Sequence, residues 1–404
     1  MPQSGILILH DEQREINMKR SITQERPDWK ATAEESGFVF HTMYGEPYWD
    51  ETSAYEFTLD EIELDIEDPS TELHQMCRDA VDYIVTSEQL MDRMGIPDNM
   101  KDLVKNSWLK GEQELYGRFD LAYNGDAPAK MLEYNADTPT SLYEAAVFQW
   151  QWLEEMLKLG YIPPASDQFN RIYDALTERF KELFAPGDNV HFTSVGGQAN
   201  IEDFGTVETM AWAAKEAGLT SHYTSIEDIG LTTNGQFVDG DSRVIGAMFK
   251  LYPWEDLLRD SYATSIAGSN CRFIEPAWKA LVSNKGILPV LWNMFPGYKN
   301  LLPAYWASES HDLVNYVTKP IFSREGASVR IFENGKLTEA SANQEYDQNS
   351  MIVQEYCPLP VFDGYRPIIG SWIVGQTCVG IGIREDQSRI TQDLSRFKPH
   401  YIKN

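Results

Sequence analysis

The chain has 404 residues, 42% hydrophobic and 24% charged, the make-up of a globular protein with enough apolar material for a large core, so wholesale disorder is excluded. Its 34 Lys plus Arg against 62 Asp plus Glu leave a formal net charge of −28, which argues against nonspecific nucleic-acid binding, a process that needs cations on phosphates. The length suits two or three domains, or one large one.

Cys77, Cys271, Cys357 and Cys378 are far apart and form no CxxC pair. They read as free thiols of a reducing cytoplasm, against a zinc site or a disulfide framework. The apolar run at residues 6–9 is broken by Asp11, Glu12 and Arg14, so it is no signal peptide, and no run approaches the ~20 residues of a membrane span. A cytoplasmic protein without membrane or nucleic-acid partners is expected, with oligomeric state open.

In chain order, residues 45–50 read as a turn. Apolar residues then recur at helical spacing over 59–84, with Pro69 dividing the stretch into two helices. Pro97 and Asp98 begin a short helix toward Trp108. Residues 115–123 and 130–135 alternate as strands, and Asn124, Gly125, Asp126, Ala127 and Pro128 between them make a turn, so the pair is a β-hairpin. An amphipathic helix follows Pro139. Over 189–245 the order is strand, loop Gly196-Gly197-Gln198, helix at about 204–217 capped by Gly218, then strands at 221–226 and 244–249. That order predicts a small α/β unit with parallel strands. Residues 270–320 are rich in Trp, Pro and Asn. From Val317 onward the chain is mostly β (317–321, 351–356, 367–374 and 377–384), with Gly375-Gln376 as the last hairpin turn.

Alternation puts Arg118 and Asp120 on one side of the first hairpin, and Phe119 and Leu121 on the other. A loop at 124–128 sets Asp120 nearly opposite Glu133, with Asn135 and Met131 on the same face as Glu133. Leu132 and Tyr134 are expected on the opposite face. Two carboxylates forced together need a counter-charge, and magnesium, which favours a few carboxylate and amide oxygens plus substrate phosphates, supplies it. Arg118 would then reach a phosphate or a substrate carboxylate. A solvated polar face, with Arg118 only pairing with Asp120, is the plainer alternative. The loop Asn135-Ala136-Asp137-Thr138-Pro139-Thr140-Ser141 runs into a helix start, where hydroxyls hold an anion or merely cap the helix.

Lys319 lies inside a β-branched strand, and residues 322–328, with Gly326 and Ser328, form a small-residue loop able to clamp phosphates. An exposed strand lysine is the alternative, and no GxxxxGK[ST] precedes it. Gln354 and Glu355 end an apolar strand and could read an adenine edge and ribose hydroxyls. Lys285 is a second phosphate-side lysine. Arg384, at the end of the last hairpin, could stabilise a transferring phosphoryl group, with Glu385 and Asp386 balancing its charge.

Tyr116-Gly117-Arg118-Phe119-Asp120, Glu133-Tyr134-Asn135-Ala136-Asp137, Lys319-Pro320 with Arg324-Glu325-Gly326, Gln354-Glu355 and Gly382-Ile383-Arg384-Glu385 follow one another in this order. From about Gly45 to the C-terminus the chain resembles the glutathionylspermidine synthase family, in its stand-alone bacterial form. The resemblance implies an α+β fold with an ATP-grasp-type catalytic core (residues 1–165 and 330–404, with the metal-binding hairpin). It also implies an inserted α/β pre-ATP-grasp domain (166–270) and an ATP-binding lid region (271–329). The implied activity is a carbon–nitrogen ligase: ATP phosphorylates a glutathione-like carboxylate, and a spermidine-like amine attacks the acyl phosphate. The implied cofactors are ATP and Mg2+. Carried over residue by residue, Asp120, Glu133 and Asn135 match metal ligands. Arg118 and Arg384 match catalytic cations, and Lys285, Lys319, Gly326, Gln354 and Glu355 match nucleotide-binding residues. Thr138 and Thr140 fall where the family has substrate-contacting hydroxyls, with Ser141 beside them as a further substrate-side candidate; no strong motif marks the amine site, and Glu202, Asp203 and Asp393 are nominated for it as acidic residues. No amidase domain of the bifunctional members precedes this region, so no hydrolytic second activity is expected, and Ser141 stands where those members carry a cysteine. Two readings of other classes remain: an ATP-binding protein of this fold without the synthase activity, or with other acid and amine substrates, and an acidic polyamine-binding module.

Overall fold

A computed structural model describes residues 18–197, 200–324, 326–391 and 395–403. Gln198, Glu325 and Asp393 lie outside the described residues, as does the apolar run at 6–9.

The alternation in Tyr116–Ala122 drives the central sheet. Phe119 and Leu121 enter the main apolar core together with Tyr134, Ile369, Ile373, Ile381 and Ile383. Burial of each such side chain is worth about 1.5–3 kcal/mol. The sheet is antiparallel, in the order Arg396–Lys398, Thr377–Asp386, Arg366–Val374, Tyr116–Ala122, Lys130–Asn135. The last hairpin turns at Gly375, whose φ of +59 is the left-handed region that the turn requires. Gly370 pairs with Asp120, and a Cβ there would sit 2.9 Å from Arg118 Cδ, so this glycine makes room for the arginine to lie over the sheet.

Asp120 does pair with Glu133 across the first hairpin, but the register slips between Asp120 and Leu121, which pairs with Met131. Leu132 is the extra residue of a β-bulge. The bulge corrects two expectations of simple alternation. Met131 turns into the apolar core rather than sharing the face of Glu133, and Leu132 lines a cavity rather than joining Tyr134.

The α/β unit is present as a four-stranded parallel sheet, ordered Arg272–Ile274, Ala247–Leu251, Asn189–Ser194, Thr220–Ser225, with helices Ile172–Leu183 and Ile201–Glu216 sharing its core. The strand expected at 244–249 begins three residues later, and Arg272–Ile274 carries the sheet past residue 270. A third, antiparallel sheet runs Ala304–Trp306, Met351–Glu355, Tyr316–Pro320, Arg330–Glu333, Lys336–Ala340. The expected boundary at 329/330 falls inside it, between two paired strands. A fourth sheet joins the ends of the described chain: Ser53–Phe57 lies between Lys19–Ile22 and a parallel His400–Ile402.

Pro69 interrupts nothing. A π-helical stretch Glu61–Glu67 runs directly into helix Asp68–Ile84, and the proline sits at the junction, where the change from i→i−5 to i→i−4 bonding accommodates its ring and its missing N–H. Among the described residues no helix is long and apolar enough to cross a membrane.

Candidate active site

The face of the hairpin opposite the core opens on a cavity of about 450 Å3, closed on its other sides by the third sheet and the start of helix Ile201–Glu216. Arg118, Asp120, Glu133, Asn135, Thr138, Thr140, Glu202, Asp203, Lys285, Lys319, Gly326, Gln354, Glu355 and Arg384 all line it. Of the candidate substrate residues that are described, Ser141 alone does not. It is buried behind the wall, and its Oγ donates to Glu202 Oε1 at 3.1 Å.

The first hairpin strand is fixed by a buried charge network. The Leu115 and Tyr116 N–H groups donate to Glu275 at 3.1 and 2.9 Å. Lys279 Nζ donates to the Tyr116 carbonyl at 3.0 Å and pairs with Glu114 at 3.0 Å and Glu275 at 3.3 Å, while His74 and Arg78 also reach Glu114. Burial pushes Glu275 up to about 7, whereas Lys279, His74 and Arg78 outweigh burial at Glu114 and hold it well below the usual carboxylate range.

Each site carboxylate faces cations. Asp120 accepts from Arg118 Nε at 2.8 Å and from Arg384 Nη2 at 3.1 Å, and Arg118 Nη1 also donates to the Thr140 carbonyl at 2.9 Å. Glu133 pairs with Lys285 at 3.1 Å and takes a 3.4 Å contact from the Asn135 amide. Burial would raise the Glu133 carboxyl, but Lys285 and Lys319 prevail and push it down to about 2. Lys319 is buried rather than exposed, and donates to Gln354 Oε1 at 2.8 Å and to the Leu132 carbonyl at 3.0 Å. Burial pushes its ammonium down to about 8. Arg384 takes its counter-charge from Asp120, not from its chain neighbours: Glu385 is turned to the opposite face, held by Arg20 at 2.8 and 2.9 Å and by the Tyr55 hydroxyl at 2.7 Å.

Gly326 is needed for a close approach. Its φ is +67, and a Cβ would lie 2.5 Å from the Thr391 carbonyl oxygen, so the loop after Lys319 rests directly on that backbone. Beside it, Val317, Val329, Ile331 and Ile390 form a small apolar cluster capped by Tyr356, with Glu355 at its edge, a slot suited to a flat ring. Arg389 lies over Tyr356, 5.0 Å from the ring centroid, and donates to its hydroxyl at 3.0 Å.

The residues present fit a magnesium ion. Asp120, Glu133 and Asn135 offer hard oxygens from adjacent hairpin positions, and Glu133 is ionised at neutral pH. Magnesium takes one or two carboxylates and completes its shell with phosphates and water; among the described residues no group of three or more His, Cys, Asp or Glu could hold a metal.

Sequence reasoning missed several wall residues. Arg389 lies five positions past Arg384, and Arg324 sits in a quoted motif but was given no role; it pairs with Glu255 at 3.5 Å and Asp256 at 3.8 Å. Asp137 is bound by Lys250 Nζ and the Trp254 N–H, both at 2.7 Å, tying the hydroxyl-rich loop to the parallel sheet.

This arrangement has relatives. A provisionally named acid–amine ligase of Haemophilus influenzae is 41% identical over 390 residues, covering 93% of this chain and 97% of that protein. Trypanothione synthetase of Crithidia fasciculata is 27% identical and the bifunctional glutathionylspermidine synthetase/amidase of Escherichia coli 24% identical, each over 82% of this chain. The chain spans only 54% and 56% of the length of those two. A solved glutathione synthetase-like effector of Globodera pallida superposes with a TM-score of 0.55 at 14% identity, over 87% of this chain and 89% of that one, a likeness of fold alone. Matched from residue 20 to residue 403, the chain belongs to the glutathionylspermidine synthase preATP-grasp family.

Proposed function

We propose that the protein is an ATP- and magnesium-dependent carbon–nitrogen ligase with an ATP-grasp-type core, joining a glutathione-like peptide carboxylate to a spermidine-like amine. The observation that carries the reading is the wall on which Asp120 and Glu133 stand side by side among Arg118, Arg384, Lys285 and Lys319. Such a mixture of paired carboxylates and convergent cations suits a metal-bound triphosphate, because phosphoryl transfer is catalysed chiefly by positioning and charge neutralisation. Family membership and the acid–amine name of the 41% identical relative support the same chemistry.

In this reading the purine lies in the slot of Val317, Ile331 and Tyr356, with Gln354 and Glu355 at its polar edge. Lys285 and Lys319 hold the phosphates, and Gly326 lets the loop backbone approach them. Asp120, Glu133 and Asn135 hold magnesium, which offsets phosphate charge. Arg118 and the Thr138 and Thr140 hydroxyls orient the acid. Its carboxylate oxygen attacks the γ-phosphorus, the bond to the β-phosphate oxygen breaks, and ADP leaves. Arg384 stabilises the negative charge on the moving phosphoryl group. The amine, held near Glu202, attacks the acyl carbon, and phosphate and a proton depart as the amide forms.

ADP release with Mg-ATP, measured against a panel of acids and amines including glutathione with spermidine, tests this. Stimulation that requires one acid and one amine together is expected. Tight ATP binding with no stimulation by any pair would favour a nucleotide-binding protein without ligase activity.

A further inference from the structure

Gln354 stands at the edge of the purine slot, but its amide is already in use on both sides. Its Oε1 accepts from Lys319 Nζ at 2.8 Å, and its Nε2 donates to the Met131 carbonyl at 3.2 Å. Chemistry sets that orientation: an ammonium only donates and a carbonyl only accepts, so the amide cannot be flipped without losing both bonds. Gln354 is also 1% exposed, so an amide group turned toward a purine would leave one of these partners buried and unpaired.

The strand register explains how the two side chains meet. Val317 pairs with Gln354 and Lys319 with Ile352, so alternation sets Lys319 and Gln354 diagonally on one face of the third sheet. That face lies against the outer strand of the hairpin at the bulge, where Lys319 Nζ also donates to the Leu132 carbonyl at 3.0 Å. Successive carbonyls of a regular strand point to opposite edges, whereas those of Met131 and Leu132 are both taken by side chains of the third sheet. The register slip beside Leu132 breaks the alternation and permits this. The bulge thus offers one carbonyl to the lysine and one to the glutamine that holds the lysine.

An ammonium carries three N–H bonds. Two of them go to Leu132 and Gln354, which leaves the third for the cavity that Lys319 lines. A lysine on its four-carbon stem is otherwise a flexible point charge, and tethering it beforehand reduces what ligand binding must order. We infer that Gln354 is a positioning residue: it acts on the nucleotide through Lys319, by fixing the direction of the third N–H, and makes no hydrogen bond to the base, whose polar edge is left to Glu355. The inference rests on the assignment of Lys319 to the phosphates given above.

The test is a double-mutant cycle on the whole protein. Affinity for a non-hydrolysable ATP analogue with magnesium, and for adenosine, is measured by calorimetry in wild type, Gln354→Met, Lys319→Met and the double variant. Gln354→Met is expected to weaken the analogue by about 10-fold and to leave adenosine, which has no phosphate, within about two-fold of wild type. Lys319→Met should weaken the analogue at least as much, and the double variant no further. Loss of adenosine affinity in Gln354→Met, or a second loss of about 10-fold when that change is added to Lys319→Met, overturns the inference while leaving Lys319 on the phosphates. Unchanged analogue affinity in Gln354→Met overturns it as well. Unchanged affinity in Lys319→Met removes that lysine from the phosphates, and the inference with it. Should Gln354→Met not fold, the double variant, which replaces both partners of the buried pair, is compared with Lys319→Met alone, and a further loss there overturns the inference.

Discussion

Lys279→Met is a sharp probe of how the fold holds its site. The ammonium is fully buried, donates to Tyr116, and lies 3.0 and 3.3 Å from two buried carboxylates. Removing one member of a buried charge cluster costs about 3–5 kcal/mol, because the remaining charges stay buried without compensation. Glu114 keeps Arg78 and His74, so the loss falls mainly on Glu275. Glu275 can escape part of the cost by taking a proton, since burial already pushes it up to about 7. A carboxyl raised in the folded state favours folding below its unfolded value and loses that contribution as pH climbs through its folded value. In wild type the loss is complete soon after pH 7. In the variant Glu275 is raised further, so the loss continues. The expected gap is about 3 kcal/mol at pH 7, widening by up to ~1.4 kcal/mol per pH unit above it. Urea unfolding followed by tryptophan fluorescence at pH 6, 7, 8 and 9 reads this out. A gap under about 1 kcal/mol at pH 8, or one independent of pH, would refute the reasoning. Adding Glu275→Gln should recover part of the loss and flatten the pH dependence.

Three further outcomes are expected. Glu133→Ala should abolish ATP turnover and lower the unfolding free energy by about 2–4 kcal/mol without preventing folding, because Lys285 and buried Lys319 lose the carboxylate they face; circular dichroism, urea unfolding and ADP release check both halves, and near-normal turnover would remove magnesium from this residue. Arg384→Ala should slow ADP formation by 100-fold or so while changing ATP affinity much less, as expected of a charge that matters most in the transition state; equal losses would make it a binding residue only. Gly326→Ala should weaken ATP binding without lowering the single-turnover rate at saturation, because a Cβ at that φ collides with the Thr391 carbonyl and lifts the loop.

The sequence made the local parts of this site legible. Alternation plus an Asn-Gly-Asp turn was enough to pair Asp120 with Glu133, and strand–helix–strand order was enough for the parallel sheet. The bulge at Leu132 was not legible, because a one-residue slip leaves no compositional mark, and it moved Met131 to the core. The Glu114–Glu275–Lys279 network joins residues about 160 positions apart, so no spacing rule could reveal it. Arg389 belongs to no motif and Arg324 sits in one without a role of its own, and only the fold brings both to the cavity wall. Glu202 belongs to no strong motif, and only the fold sets it on the cavity wall.

The most direct test of the ligase account follows oxygen. With the acid substrate labelled with 18O in its carboxylate, product amide is identified by mass spectrometry and the released phosphate is examined for label. The account predicts an amide of acid and amine in equal amount with ADP, with one 18O moved from the carboxylate to phosphate. Amide formed with unlabelled phosphate would contradict the acyl phosphate, and ADP formed without any amide would contradict the ligase.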